Sequence, residues 1–520
     1  MRRRAPAVTL GAAGALVAAL ALLPLVYLVV RAAGADAQAW ETVLRPRTLS
    51  LVGSTVGLVA AVSVAACVLG VALAWLVVRT DLPFRRVIGV AAALPLVIPS
   101  YVLALALIAA FGPGGLLGQS TWIFGFPGAW AALTLATYPY VYLLAAAALR
   151  RMDPELEDAA RGLGRSRREV FTSVTLPVLR PSIGAGGVLV ALYALSDFGV
   201  VSLMRYDALT RAIFQQYRSL FDRTPAALLG LVLVALTVVV LVLEARGRGR
   251  GRVVRGGAGG SRPATSTPLG RWRAPAVAFT GTVLLAALVL PVATLVGWAL
   301  RASADGPGAG ELVRWAGNSV LVSVAAAAAA TLAALPVAAL VVRRPGRLTR
   351  GLERVTFASN ALPGIVVALA LVFFATRTIT PLYQTLPLLV FAYVVRFLPQ
   401  ALSGTRDALG RVDPELEQAA RGLGAGPART FGRITLPLVA PGLLAGATLV
   451  FLSTMKELPA TLLLRPIGYD TLATEVWSAT GTSSYSAAAL PALALIALSA
   501  PVVYGLQVRR EAPRGPDREA

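Results

Sequence analysis

The stretch LEDAARGLGRSRREVFTSVTLPVLRP at 156–181 returns as LEQAARGLGAGPARTFGRITLPLVAP at 416–441. Both copies are mostly polar, although the chain around them is apolar. Equivalent residues, such as Gly164 and Gly424, are 260 positions apart throughout the passage. Repetition over this distance is typical of a duplicated domain. The passage therefore predicts two similar halves, each with one copy of the polar segment.

The composition of the chain is that of a protein that crosses a membrane many times. Of the 520 residues, 57% are hydrophobic and 14% are charged, whereas soluble domains carry about 25% charged residues. Apolar runs of about 20 residues are typical of membrane helices. We predict an all-α polytopic membrane protein with about twelve transmembrane helices in two parallel six-helix repeats, near 8–30, 50–78, 87–111, 129–149, 184–204, 226–243, 275–299, 318–342, 357–375, 385–404, 442–463 and 488–508.

The chain has a net charge of +23, and its basic residues are concentrated in every second loop between the predicted spans, so these loops share one side of the membrane. Cytoplasmic loops of membrane proteins are enriched in Lys and Arg, so we expect both termini in the cytoplasm. The loop at 205–224 holds four arginines on the opposite side and departs from this rule. An even number of spans per half gives both halves the same orientation about an axis along the membrane normal. A nucleic-acid partner is not expected, because no basic soluble domain with interleaved aromatic residues is present.

Domain boundaries follow from the same pattern. We assign residues 1–244 to the first repeat, 245–274 to a cytoplasmic linker, 275–510 to the second repeat and 511–520 to a cytoplasmic tail. The linker is rich in Gly, Arg, Ser and Pro, which is typical of flexible connections. Its basic residues are expected to contact anionic lipid headgroups. The first apolar run is too long for the apolar core of a signal peptide.

Several kinds of chemistry are excluded by the residue types present. The chain has no histidine and a single cysteine, Cys67, in an apolar run. A disulfide, a Cys/His metal cluster and a histidine-based catalytic triad are therefore not expected. Lys456 is the only lysine, so the chain has no phosphate-binding loop of the GxxxxGK[ST] type. We predict no catalytic residue, metal site or cofactor in this chain, and ATP, if it is used, must be bound by another subunit.

The repeated passage begins with the signals of a short helix. Asp153 is a good N-cap, the following proline suits a first helical position, and Glu155 and Glu157 favour the positive end of the helix dipole. Gly164 suits the left-handed residue that ends a helix. A narrow apolar face is predicted at i, i+3, i+4 and i+7, formed by Leu156, Ala159, Ala160 and Leu163 in the first copy and by Leu416, Ala419, Ala420 and Leu423 in the second. We interpret the two helices as docking elements for a dimeric partner; the alternative is packing on their own membrane domain.

The spacing of the passage resembles the EAA loop of ABC importer permeases, in which E-A-A is followed by three residues, Gly, nine residues and I-x-L-P. The matching residues are Asp158, Ala159, Ala160, Gly164, Leu176 and Pro177 in the first copy and Gln418, Ala419, Ala420, Gly424, Leu436 and Pro437 in the second. The resemblance implies two fused six-helix permease units in a bacterial inner (plasma) membrane. It also implies that each loop couples to one subunit of a separate ATPase dimer, and that an extracytoplasmic substrate-binding protein supplies the solute.

The two copies of the passage differ at the leading acidic position of the motif. This position is Asp158 in the first copy and the neutral Gln418 in the second, although Glu157 and Glu417 precede them. The resemblance therefore implies that the two contacts with an ATPase dimer need not be equally strong. Pro177 and Pro437 are expected to mark the points where the chain re-enters the bilayer.

Polar residues within the predicted spans that follow each loop indicate a functional site. Ser196 and Asp197 in the first half are equivalent to Lys456 and Glu457 in the second. An ionisable residue at the centre of a span costs at least about 2.5–3.5 kcal/mol. We expect Asp197, Lys456 and Glu457 to face one another between the halves as a substrate path or gate; structural pairing is the alternative. A metal cage is not expected, because the group offers a hard cation too few oxygen ligands.

Two further stretches narrow the predicted function. SDFGVVSL at 196–203 and MKELPATLLLRPIGYDTLATEVW at 455–477 resemble the fused permeases of ferric-iron importers. Fused thiamine permeases share the architecture, so thiamine or another small solute is an alternative substrate. A proton-coupled secondary carrier, with Asp197 and Glu457 as relay groups, is a second alternative that leaves the repeated loop unexplained. The sequence predicts a permease subunit for ferric iron and not an enzyme.

Overall fold

The computed structural model describes residues 5–218, 223–247, 266–301 and 306–511. Within these ranges the chain is built from helices, and the β-type pairing is one isolated bridge between Thr80 and Thr267. The predicted all-α fold is confirmed. The MRRR start, the central part of the predicted linker (248–265) and the predicted tail from 512 onward lie outside the described residues.

From α3 in the first half and α15 in the second, the two halves contain the same kinds of helix in the same order. The first half contains α1 (Ala5–Ala33), α2 (Ala37–Leu44), α3 (Pro46–Arg79), α4 (Arg85–Ala91), α5 (Ser100–Phe111), α6 (Phe126–Arg151), α7 (Pro154–Gly162), α8 (Arg167–Val170), α9 (Leu176–Ser196), α10 (Gly199–Leu203), α11 (Leu209–Tyr217) and α12 (Thr224–Gly247). The second half contains α13 (Arg273–Leu284), α14 (Leu290–Leu300), α15 (Ala309–Arg343), α16 (Arg347–Ala358), α17 (Gly364–Thr378), α18 (Leu386–Gly410), α19 (Pro414–Gly422), α20 (Pro427–Thr430), α21 (Leu436–Met455), α22 (Pro459–Leu464), α23 (Leu472–Gly481) and α24 (Tyr485–Glu511).

Short irregular turns join several of these helices. Single 3₁₀ turns lie at Leu94–Val97, Gly270–Trp272, Ser359–Ala361 and Thr380–Leu382. Wider π turns lie at Phe171–Thr175, Leu285–Val289 and Phe431–Thr435. The first and third π turns join α8 to α9 and α20 to α21, so each pair forms one continuous helical run.

Ten helical runs in the described ranges are long and apolar enough to cross a membrane, or eleven if a bent pair is counted as one span. The bent pair, Arg85–Val97 with Ser100–Phe111, changes direction by 96°. It occupies the predicted span 87–111, and the equivalent predicted span, 357–375, contains the shorter apolar helix α17. In both spans the helix is interrupted at a proline, Pro99 or Pro363, because proline has no N–H to donate and disfavours a helical residue before it. These two proline interruptions explain why fewer full-length spans are present than the sequence predicted.

Each half has a central group of three long helices, and the halves interlock around these groups. In the first half α3, α6 and α9 pack together, as α15, α18 and α21 do in the second. The first helix, α1, packs on α12 of its own half and also on α15, α16 and α17 of the second half. In the opposite direction, α14 of the second half packs on α5 of the first. One apolar core therefore runs through both halves.

The described end of the predicted linker is attached to the first half. The backbone N–H of Thr267 donates to the carbonyl of Arg79 at 2.9 Å, and that of Asp81 donates to the carbonyl of Thr267 at 3.3 Å. The N–H of Leu269 donates to Oδ1 of Asp81 at 2.8 Å. The segment before α13 thus lies against the end of α3.

Candidate functional site

The two copies of the polar passage form helices α7 and α19, which we call the loop helices. Oδ1 of Asp153 accepts the backbone N–H of Glu155 at 3.0 Å, and Oδ1 of Asp413 accepts that of Glu415 at 2.9 Å. Gly164 has φ +79° and Gly424 has φ +87°. The predicted N-caps and left-handed terminal glycines are confirmed.

A buried glutamate attaches the first loop helix to the membrane helices. The hydroxyl of Thr175, in the π turn before α9, donates to Oε1 of Glu157 at 2.8 Å. Arg79, the last residue of α3, is 3.9 Å from the same oxygen, and Arg161 of the loop helix is 3.3 Å from Oε2. The carboxylate therefore links the loop helix to the ends of two long helices.

The second loop helix is attached in the same way. Thr435 donates to Oε1 of Glu417 at 2.9 Å, Arg343 at the end of α15 lies 2.9 Å from that oxygen, and Arg421 lies 3.5 Å from Oε2. The sequence assigned this glutamate only to the start of a helix and did not reveal the buried attachment. One signal was present, because in both copies the threonine follows the glutamate by 18 positions.

The predicted apolar face of the loop helices divides into an inner and an outer part. Ala160 and Ala420 are buried against the protein. Three apolar residues of each helix point outward, namely Leu156, Ala159 and Leu163 in the first and Leu416, Ala419 and Leu423 in the second. The prediction of a single four-residue face was wrong, because the helix side that carries the buried glutamate also takes the alanine three residues later inward.

The remaining motif residues lie beside the loop helices. Asp158 is exposed, and its Oδ1 pairs with Nη1 of Arg161 at 2.8 Å. Gln418, at the equivalent position, is also exposed. Leu176 begins α9 directly after a π turn and is followed by Pro177, and Leu436 and Pro437 repeat this arrangement at the start of α21. Each proline thus lies inside a continuous helical run, where the wider turn accommodates its missing N–H.

The polar residues predicted within the bilayer lie where α9 and α21 end. Ser196 is the last residue of α9 and is half-buried. Asp197 follows it and is buried; its Oδ1 accepts the backbone N–H of Val200 at 2.8 Å and its Oδ2 accepts the hydroxyl of Ser100 at 2.6 Å. We call the interruption between α9 and α10 the first break and that between α21 and α22 the second break. The carboxylate of Asp197 bonds to both α10 and the start of α5, and so holds the first break in place.

The second break has a different set of partners. Nε of Arg396, on α18, lies 3.0 Å from Oε2 of Glu457, which is buried, and Nζ of Lys456 donates to the carbonyl of Leu96 in the first half. Each of Asp197, Lys456 and Glu457 thus has another residue as its hydrogen-bond or ion-pair partner, and their facing one another across a substrate path stays a prediction. Sequence reasoning missed Arg396, because nothing in the chain marks which of the many arginines lies opposite an acid on another helix.

An aromatic cluster joins the halves next to the first break. The ring of Phe198 lies 4.9 Å from that of Trp477 in the second half and 4.7 Å from that of Phe214, centroid to centroid. A Cβ added to Gly199 would lie 3.5 Å from the side chain of Leu458. The two breaks thus lie at the contact surface between the halves.

Each loop helix has a cavity behind it. A cavity of about 940 Å³ lies beside Glu157, Arg161 and Thr175, with Trp272 on its wall. A smaller one of about 350 Å³ occupies the equivalent place in the second half, beside Glu417 and Thr435 among other residues. Among the described residues no group of three or more Asp, Glu or Cys side chains is close enough to hold a metal ion.

Two interlocked, duplicated sets of membrane helices, each with a polar loop helix at one end and a polar break within, define the class of multi-pass transport proteins. The chain matches the family described as binding-protein-dependent transport system inner membrane component twice, over residues 66–246 and 326–511. It belongs to this family. The predicted family is therefore confirmed, and the chain is a multi-pass inner-membrane permease of binding-protein-dependent transport and not an enzyme.

Individual relatives resemble the chain over different lengths. The Fe(3+)-transport system permease protein FbpB 2 of Haemophilus influenzae is 32% identical over 93% of this chain and 95% of its own length. A probable ABC transporter permease protein, y4fN of Sinorhizobium fredii, is 26% identical over 80% of this chain and 79% of its own length. The sulfate transport system permease protein CysT of Escherichia coli is 29% identical over 45% of this chain and 90% of its own length.

Proposed function

We propose that the chain is the translocation subunit of an ABC importer for ferric iron and that its two loop helices dock on a separate ATPase dimer. The observation that carries this proposal is the matched construction of α7 and α19. Each is held inward by one glutamate, which is buried in the first half and half-buried in the second, and presents an outward face of two leucines and an alanine. Two equivalent exposed apolar faces on one side of the chain suit a partner with two equivalent grooves.

The attachments of the loop helices provide a route for coupling. Glu157 contacts Thr175 in the π turn, from which one helical run, Arg168–Ser196, leads to the break at Asp197. The corresponding run in the second half, Pro427–Met455, leads to Glu457. Closure of an ATPase dimer would shift the loop helices and, through these runs, the two breaks. Such a change between two states is driven by the tighter binding of ATP to one of them.

The breaks are the proposed gate of the substrate path. Ser196, Asp197, Lys456 and Glu457 lie there at the surface between the halves, and a helical break in a membrane exposes backbone groups only where they are enclosed by protein or line a cavity. An extracytoplasmic binding protein would deliver the solute to the opposite end of the path. Ferric iron is proposed because the relative that matches nearly the whole chain is named as an Fe(3+)-transport permease.

We infer that the loop helices, both termini and the predicted linker lie in the cytoplasm. Two contacts support one common side for the basic loops. Arg79 and Arg343, at the ends of α3 and α15, both reach the glutamates of the loop helices. Basic loop residues are retained on the cytoplasmic side of bacterial inner membranes.

Reconstitution tests the proposed function. The chain is placed in proteoliposomes with the ATPase subunits, and a binding protein loaded with ⁵⁵Fe(III) is added outside. We expect uptake that needs ATP in the compartment facing the loop helices and that stops when the ATPase is omitted. Uptake that follows a proton gradient without ATPase subunits would instead support the proton-coupled carrier.

Another small solute is the second candidate, and the match to a sulfate permease favours keeping it. Thiamine remains a further alternative from the sequence. The same liposomes separate these cases when they are given binding proteins loaded with sulfate or thiamine. ATP-driven uptake of one of these solutes, with none of iron, would keep the importer mechanism and replace the substrate.

A further inference from the structure

The carboxylates at the two breaks, those of Asp197 and Glu457, are held by different kinds of partner. In the first half a neutral hydroxyl, that of Ser100, donates to Asp197 at 2.6 Å. In the second half a charged group, the guanidinium of Arg396, pairs with Glu457 at 3.0 Å. The halves are otherwise built alike, so the difference calls for a comparison of equivalent positions.

Ser100 and Gly364 occupy equivalent positions. Ser100 is the first residue of α5 and Gly364 is the first residue of α17, and each comes directly after a proline. The backbone angles of Pro99 are φ −59° and ψ 144°, and those of Pro363 are φ −58° and ψ 145°. The second half therefore has a glycine where the first half has the serine that holds its carboxylate.

Gly364 has no space for a side chain. A Cβ added there would lie 2.2 Å from Nη1 of Arg396 and 2.7 Å from Oε1 of Glu457. At distances under about 3.0 Å one of the atoms must shift, and these atoms are the ends of the two paired side chains, so a larger residue would displace the ion pair. The ion pair thus fills the volume that the serine side chain occupies in the first half.

Ala136 is the first-half equivalent of Arg396. Pro139 in α6 and Pro399 in α18 are separated by the same 260 positions as the repeated passages, which aligns these two residues. The alignment also matches a neighbouring contact: the rings of Tyr140 and Tyr193 lie 6.0 Å apart, and their counterparts, Gln400 and Ser453, are hydrogen-bonded at 3.0 Å. One half therefore combines a serine with an alanine, and the other a glycine with an arginine.

We propose that Arg396 is a positioning residue that holds Glu457 at the second break. Arg396 and Gly364 together replace Ser100 and Ala136, which occupy the equivalent positions in the first half. The second break therefore has a buried ion pair, and the first has a hydrogen bond from a neutral hydroxyl to a carboxylate. The part of the proposal that concerns transport rests on the proposed importer function; the pairing itself does not.

The burial of this pair makes it costly to break. The side chain of Glu457 is only 6% exposed. Removal of one partner from a buried ion pair leaves the other charge uncompensated, which is the costly way to break such a pair. Loss of Arg396 should therefore disturb the second break.

The pairing is tested with Gly364→Ser, whose effect on the thermal midpoint should change sign when Arg396 is removed. In the wild-type chain, Gly364→Ser should lower the thermal midpoint of the full chain in detergent, because the new Cβ collides with Arg396. In an Arg396→Ala background, the same change should raise the midpoint, because the serine hydroxyl can then donate to Glu457. Gly317→Ser is the matched control, since a Cβ at Gly317 meets nothing within 4 Å.

The mirror exchange keeps the test decisive if Arg396→Ala does not fold. Ser100→Gly should lower the midpoint, and addition of Ala136→Arg should recover part of the loss by pairing with Asp197. Arg396→Lys should lie between the wild type and Arg396→Ala. An effect of Gly364→Ser with the same sign and size in both backgrounds, or no recovery by Ala136→Arg, would overturn the proposal.

The role in transport is tested in the reconstituted complex. Arg396→Ala should lower the uptake rate about tenfold while ATP hydrolysis persists without the loaded binding protein, and Arg396→Lys should restore part of the dependence on that protein. A merely structural residue would lower uptake and hydrolysis together, in proportion to the assembled complex, and that result would overturn the transport role. Absence of ATP-driven uptake in the wild type would refute the proposed function, whereas the stability test would still decide the pairing.

Discussion

Glu157 and Glu417 are the residues that attach each loop helix to the membrane helices, and their arginine partners lie at different distances. Arg343 is 2.9 Å from Glu417, whereas Arg79 is 3.9 Å from Glu157. The hydrogen bonds from the two threonines are nearly the same length. The second attachment therefore has the stronger charge interaction, and the asymmetry of the loops extends beyond the exposed position of the motif.

Replacement of these glutamates by glutamine should affect the two halves unequally. Glutamine keeps an acceptor for the threonine hydroxyl and removes the charge. We expect Glu417→Gln to cost about 1.5–3 kcal/mol, the range for a hydrogen bond to a charged group, and Glu157→Gln to cost less. Thermal unfolding of the purified chain, followed by tryptophan fluorescence, gives the order. A larger loss for Glu157→Gln would show that the arginine distances do not control these attachments.

At the scale of elements, the loop helices combine a fixed inner side with a free outer side. Leu163 is 81% exposed and Leu423 is 90% exposed. Large exposed apolar residues grouped on a polar element are typical of a protein interface. The inner side is the part already satisfied within the chain, so substitutions on the outer side should act on the partner alone.

The substitutions Leu163→Asp and Leu423→Asp, made together, should abolish co-purification of the ATPase subunits and leave the thermal midpoint of the chain unchanged. A carboxylate in an apolar groove loses its hydration without gaining a partner. Leu348→Asp is the matched control, because Leu348 is 78% exposed but lies on α16. Retention of the ATPase by the double variant would remove the loop helices from the interface.

Elements whose signals are local were predictable from the sequence, and elements set by distant contacts were not. The caps at Asp153 and Asp413 and the glycine at Gly164 follow from neighbouring residues, and the structure has them. Ala160 faces inward because Glu157, three residues earlier, is held near Arg79 on another helix. The sequence alone does not give the position of Arg79. The pair of Arg396 with Glu457 was equally hidden, since its partners lie on different helices and share no repeat pattern.

At the scale of the whole molecule, the exchange of α1 and α14 between the halves binds the two repeats together. The connection through the predicted linker is therefore not the only attachment. The contact of α1 with α15, α16 and α17 is part of the common apolar core. In a membrane, close fit of side chains supplies this attachment.

A chain divided within the predicted linker should still assemble. Co-expression of residues 1–255 with residues 256–520, with a tag on one piece, should bring down the other piece in equal amount. Deletion of residues 1–33 from the first piece should greatly reduce recovery, because α1 supplies a large part of the contact. Equal recovery with and without α1 would show that the central helices alone hold the halves together.

The exchange of α1 also sets an order for biogenesis. α1 is translated before α15, α16 and α17, on which it packs and which lie about three hundred residues further along the chain. The part of its surface that these helices cover therefore stays exposed to lipid until translation of the second half is well advanced. Because both halves belong to one chain, the helix and the surface that receives it are always made in equal number.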